Sequence, residues 1–123
     1  MPHDSRSGAP DDQARLAHML VAARQAVSFV HGRSRADLDT DDMLRRAVIN
    51  AIQEIGEAAA RLSPDGRALI RDVPWDLVVK MRNVLVHVYW GVDLDRVWIT
   101  VESDLPPLIT ALDSHMQNPP AAC

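Results

Sequence analysis

Residues 41–62 read DDMLRRAVINAIQEIGEAAARL, and their spacing constrains the fold more than any other feature. Leu44, Val48, Ala51, Ile52, Ile55, Ala59 and Leu62 fall on one stripe of a 3.6-residue helix. Arg46, Asn50, Gln53, Glu57 and Arg61 fall mostly on the other side. An apolar stripe of that width has to be covered by other elements, while the polar side stays in water. The neighbouring segments have the same period. In 11–31, Leu16, Met19, Leu20, Ala23, Val27 and Val30 recur at helical spacing, Asp11 and Asp12 suit the N-terminus, and Gly32 follows as a stop.

The segment 32–39 is a connection, and Asp39 or Thr40 is the expected cap of the helix over 41–62. Ser63-Pro64 ends that helix, because the residue before proline resists helical geometry. Ser63 then caps a short helix near 64–71. Asp72 to Pro74 is a turn, 75–90 is a third long helix, and Gly91 terminates it. In 92–116, Val92, Leu94, Val97, Trp98, Val101, Leu105, Leu108, Ile109 and Leu112 repeat the pattern, and Pro106 and Pro107 force a kink or a restart. VWITV (97–101) has strand-like composition, but both flanks read as helix. The expectation is an all-α, up-and-down four-helix bundle with one extra short helix. Residues 11–117 would form one domain, with loose tails at 1–10 and 118–123.

Composition narrows the function classes. Only one cysteine is present, Cys123, so no intrachain disulfide or cysteine-based metal site can form. No apolar run approaches the roughly 18 residues of a membrane span, and the polar start lacks the apolar centre of a signal peptide. A cytoplasmic setting fits these features. A net charge of −4, from 13 basic and 17 acidic residues, argues against a whole surface that grips nucleic acid, but leaves room for a local basic cleft.

The stretch MRNVLVHVYW (81–90) sets an arginine, an asparagine and a histidine in an otherwise apolar and aromatic run. On an ideal wheel Asp76, Lys80, Asn83 and His87 line up in one polar seam, and apolar residues cover the rest. Such a helix is central in a bundle. Arg82 lies about 140° from His87. Buried without a partner, its guanidinium would cost several kcal/mol. It therefore pairs with an acid such as Glu54 or Glu57, binds an anion, or emerges at an interface. His87 reads equally well as a core histidine with satisfied hydrogen bonds, and Asn83 as a packing contact.

RNVLVHVYW resembles the signature of the HEPN superfamily, and of its HepT-like toxin branch in particular: arginine, a polar residue, then histidine, one residue, and tyrosine. Arg82, Asn83, His87 and Tyr89 match each element. EIGEAAARLS (54–63), VPWDLVVKMRN (73–83) and YWGVDLDRVWITVESDLPPL (89–108) are similar to the family's flanking segments, so the resemblance covers about residues 12–115. It implies a HEPN-like bundle and a metal-independent endoribonuclease without a cofactor, acting on RNA as a homodimer whose two motifs line one cleft. It also implies the toxin role in a type II toxin–antitoxin system. Arg82, His87 and Asn83 would be catalytic. Apart from the resemblance, Glu57 reads either as a supporting anchor for Arg82 or as a surface pair with Arg61 at i,i+4, and Lys80 as a further supporting group. Tyr89 would be the residue that a partner antitoxin, a minimal nucleotidyltransferase of the MNT type, modifies with AMP.

Other signals point to no site. GRSRADLD (32–39) slightly resembles a nucleotidyltransferase motif, but the gap is too short and no strand is present to hold the aspartates. Asp37, Asp39, Asp41 and Asp42 read as caps and solvated charges. The histidines do not cluster at ligand spacing, so no metal is expected. Gly56 suits close helix packing. Trp75, Trp90 and Trp98 read as core or interface anchors, with base stacking open to Trp90. The rival reading is a non-catalytic helical module that docks a nucleotidyltransferase. A third is a structural bundle that hides its polar seam in a dimer interface.

Overall fold

The structure is a computed structural model and describes residues 10–83 and 93–117. All regular elements among these residues are helical, as the apolar spacing predicts. Helix α1 spans Pro10–Val30, α2 Asp37–Thr40, α3 Asp42–Ala60 and α4 Pro64–Ala68. Helix α5 spans Trp75–Val79 and tightens into a 3₁₀ turn over Lys80–Asn83. Helix α6 spans Leu94–Ile99, widens into a π-helical stretch over Thr100–Asp104, and continues as α7 over Leu105–Gln117.

The buried stripe of α3 does most of the organising. One flank packs along α1, and the other receives α5 and the 3₁₀ turn. Helix α7 and the π stretch close over α1. Leu16, Met19, Leu38, Ile52, Ile55, Leu105 and Leu112 are among the largest fully buried side chains, and they belong to one contiguous core. Burying each such side chain contributes about 2 kcal/mol. No described helix is long and apolar enough to cross a membrane.

Helix α1 stops where Gly32 takes φ 74°, a left-handed conformation that costs glycine little. The cap of α3 is Asp41, one or two residues beyond the expected Asp39 or Thr40; its carboxylate accepts from the Leu44 N–H at 3.0 Å. Asp39 and Thr40 are instead part of α2, the turn that buries Leu38. Ser63 caps α4 as expected, its Oγ accepting from the Gly66 N–H at 2.9 Å, with Pro64 in the first turn.

Two expectations about the later helices need correcting. The segment 75–90 is not an uninterrupted α-helix over its described part, since it becomes 3₁₀ at Lys80. Nor is this part central and apolar all round: Val78 is buried, but Leu77 is 60% exposed. Trp75 and Val79 pack partly against the core beside Val78, while Leu77 is left to solvent. The break expected at Pro106 and Pro107 appears as the π stretch just before them. Neither proline can donate a backbone hydrogen bond, and one wide turn absorbs the mismatch.

Candidate active site

The candidate site begins with a glycine. A Cβ on Gly56 would lie 2.1 Å from the Arg82 backbone nitrogen, 2.7 Å from the Met81 carbonyl carbon and 2.8 Å from the Arg82 Cα. Only a residue without a side chain lets the 3₁₀ turn rest backbone-to-helix on α3 at this depth. Met81 packs its side chain against the core from the same turn.

Three polar residues leave this turn for solvent. Lys80, Arg82 and Asn83 are all exposed. In a 3₁₀ turn positions i and i+3 eclipse, so Lys80 and Asn83 stack on one side while Arg82 projects elsewhere. The α-helical wheel expected for this segment already kept Arg82 apart from Asn83. The tighter winding keeps that separation and brings Lys80 and Asn83 closer into line.

The expected ion pair of Arg82 with Glu54 or Glu57 is not formed. Among the described residues Arg82 has no carboxylate partner. Glu54 instead accepts from Asn50 at 3.4 Å and stands 3.9 Å from His18. Glu57 is exposed and, among the described residues, pairs with neither Arg82 nor Arg61. Exposure removes the desolvation cost that made a partner necessary. It leaves a planar, permanently charged fork whose donors face solvent, the arrangement that binds phosphate oxygens in pairs. Lys80 adds a second, point-like cation on the same turn.

A groove of about 1030 Å³ lies beside the turn. Ile52, Val78, Met81, Val97 and Leu108 give it an apolar floor, and Leu77 and Lys80 stand on the α5 side. Asp93, Arg96 and Asp104 also line it, with Arg96 and Asp104 paired at 3.6 Å, whereas Arg82 and Asn83 are not among its lining residues. Among the described residues no group of three or more His, Cys, Asp or Glu is placed to hold a metal ion. His87 and Tyr89, expected as the catalytic imidazole and the modified phenol, lie outside the described residues, as does Trp90.

A separate, buried polar cluster had no sequence signal beyond an aspartate at a helix start. Asp12 is fully buried. Its carboxylate accepts from the Ser63 N–H at 3.0 Å and from the Ser63 hydroxyl at 2.5 Å. Gly66 leaves room for it, since a Cβ there would come within 2.6 Å of the carboxylate. This clasp ties the start of α1 to the α3–α4 corner.

Comparison with known proteins identifies the family. Residues 19–114 match the family model described as "Ribonuclease HepT-like". A Methanocaldococcus jannaschii protein named "Putative RNase MJ1380" is 34% identical over 98 residues, covering 80% of this chain and 90% of its own length. "Putative RNase TTE0752" of Caldanaerobacter subterraneus is 33% identical over 103 residues, covering 84% and 92%. "Probable ribonuclease HepT" of Thermococcus cleftensis is 39% identical over 72 residues, covering 58% and 66%. No solved structure matches the chain. The matched span takes in the α3 glycine, the 3₁₀ turn and the whole Arg82–Tyr89 stretch, and on this evidence the chain belongs to the HepT-like ribonuclease family.

Proposed function

We propose that this chain is a metal-independent endoribonuclease and the toxin of a type II toxin–antitoxin pair. The observation that carries the reading is Arg82: an exposed guanidinium, without a carboxylate partner among the described residues, on a turn seated against α3 in a chain of a ribonuclease family.

RNA brings its own nucleophile, the 2′-OH. His87 suits proton transfer near neutrality, since an imidazole ordinarily titrates around pH 6.5. The 2′ oxygen loses its proton and bonds to phosphorus, and the bond from phosphorus to the 5′ oxygen breaks. The departing oxygen takes up a proton. The products are a 2′,3′-cyclic phosphate and a 5′-OH. Arg82 donates to the non-bridging oxygens as charge builds on them, and Asn83 orients the phosphate or the imidazole. Lys80 adds attraction for the RNA backbone, and Glu57 stands beside Gly56 as a supporting group for the cleft. No step draws on a metal or an organic cofactor. Two copies of the chain form the working unit, with both motifs along one cleft.

The proposed control acts at Tyr89. A nucleotidyltransferase antitoxin adds AMP to its hydroxyl, and the bulky anionic group obstructs RNA and repels its phosphates. A chain that served only to dock such a partner would not need an exposed arginine, without a carboxylate partner among the described residues, in a sequence motif that also holds a histidine.

The test is RNA cleavage in EDTA by wild type, His87→Ala and Arg82→Ala. Wild type alone should cleave and leave cyclic phosphate ends; equal background in all three proteins discards the ribonuclease reading. Intact mass after incubation with the partner and ATP tests the control. The expected result is a gain of AMP units in wild type and none in Tyr89→Phe.

A further inference from the structure

The geometry assigns to Gly56 the role of positioning residue for Arg82. The assignment rests on the ribonuclease reading, and it concerns a residue that never touches RNA. Three distances carry it. A Cβ at position 56 would meet backbone atoms of residues 81 and 82 at 2.1, 2.7 and 2.8 Å. All three neighbours are main-chain atoms, so no flexible side-chain tip can swing aside; the turn itself has to move.

Among the described residues the side chains of the turn make few other attachments. Lys80, Arg82 and Asn83 are exposed, and none of them makes an ion pair among the described residues. Met81 is the one side chain of the turn that packs against the core. Among the described residues, the α3 surface at Gly56 and the Met81 anchor are what hold the Arg82 Cα. A guanidinium on a long, flexible stem gains accuracy only from where its Cα is held. Displacements near 1 Å at groups remote from the chemistry can cost about 100-fold in rate.

Gly56→Ala should thus lower kcat by about 10- to 100-fold, with a smaller change in KM. Val48→Ala, a fully buried α3 change away from the contact, serves as the control for lost stability. It should keep kcat within about twofold when compared at equal folded fraction. The decisive readout is the cycle with Arg82→Ala. A residue that acts through Arg82 has nothing left to misplace once the guanidinium is gone, so the double variant should match Arg82→Ala alone. Independent, multiplying losses would overturn the assignment, as would a Gly56→Ala protein with wild-type kcat.

Should Gly56→Ala not fold, as judged by its circular dichroism, Met81→Ala loosens the same turn without adding an atom to the contact. The same loss of kcat and the same cycle with Arg82→Ala are expected from it, and unchanged kcat refutes the assignment. Wild-type protein that cleaves no RNA fails the ribonuclease reading itself. Active wild type with an indifferent position 56 and an indifferent Met81 fails only this inference.

Discussion

Arginine does two different jobs in two regions of this molecule. Between residues 33 and 46 every arginine has a carboxylate. Arg33 donates to Asp37 at 3.3 Å and to Asp41 at 2.6 Å. Arg35 bridges Asp39 at 3.0 Å and Asp95 at 2.5 Å, tying the α1–α3 connection to α6. Arg45 and Arg46 share Asp42. On the 3₁₀ turn, by contrast, Lys80 and Arg82 have no carboxylate among the described residues. The backbone beneath them, rather than a counter-charge, is what is held. Pairing uses up a guanidinium's donors, whereas seating its backbone leaves them free. The cation offered to a ligand is the one whose main chain is fixed and whose side chain is not.

The sharpest way to break that contrast is to remove one arginine from each region. Arg82→Ala should reduce RNA cleavage by about 100- to 1,000-fold, the usual effect of deleting a donor to developing charge. Arg33→Ala should leave cleavage within about twofold at equal folded fraction. Comparable losses in the two variants would show that the distinction between paired and free arginines has no functional content.

A second comparison sets two glycines against each other. Gly66→Ala drives a methyl into the buried Asp12 carboxylate and should cost about 2 kcal/mol of unfolding free energy in urea. Gly32→Ala meets open space and strains only the left-handed φ of 74°, at about 1 kcal/mol. Asp12→Ala should itself cost about 2 kcal/mol by leaving the Ser63 N–H unpaired. The double variant Asp12→Ala with Gly66→Ala should cost less than the two singles combined, because the clash disappears along with the carboxylate.

Acid should act on the paired region. The Asp37 and Asp41 carboxyls lie below the usual 3.8, held down first by the Ser34 and Leu44 backbone N–H groups and then by Arg33. Asp42 is lowered chiefly by Arg46. A carboxyl depressed in the folded state contributes stability above its unfolded value, and loses that contribution as pH falls through the folded value. Melting temperature should therefore hold steady above about pH 4 and decline below it. The decline should persist in Arg33→Ala, since backbone donors are the leading cause at Asp37 and Asp41. The smallest effect is expected at the exposed pair of Arg24 and Asp113, 2.8 Å apart; Arg24→Ala should change unfolding free energy by about 0.5 kcal/mol or less.

Most of the secondary structure is legible in the residues themselves. Helical spacing, Gly32, Ser63-Pro64 and Pro74 set the elements because they act within a few residues of where they stand. The motif also singled out Arg82 and Asn83 without help from the fold. What local reasoning missed depends on contacts distant in the chain. The cap of α3 moved to Asp41 because burying Leu38 drew Asp39 and Thr40 into a turn of their own. Asp12 reads as an ordinary helix-start acid until Ser63, 51 positions away, encloses it.

The sequence by itself determined that this chain is helical, where its first long helix and the helix over 42–60 lie to within a residue or two, and which arginine stands in the family motif. Only the tertiary structure decided that this arginine is exposed and has no carboxylate partner among the described residues, that its turn winds as 3₁₀, and that Gly56 is the surface on which the turn rests. The physical reason is distance along the chain. Periodicity and capping are local, whereas a guanidinium's partner and a missing Cβ's neighbour are set by a segment some 26 residues on, brought within van der Waals range only when α5 closes on α3.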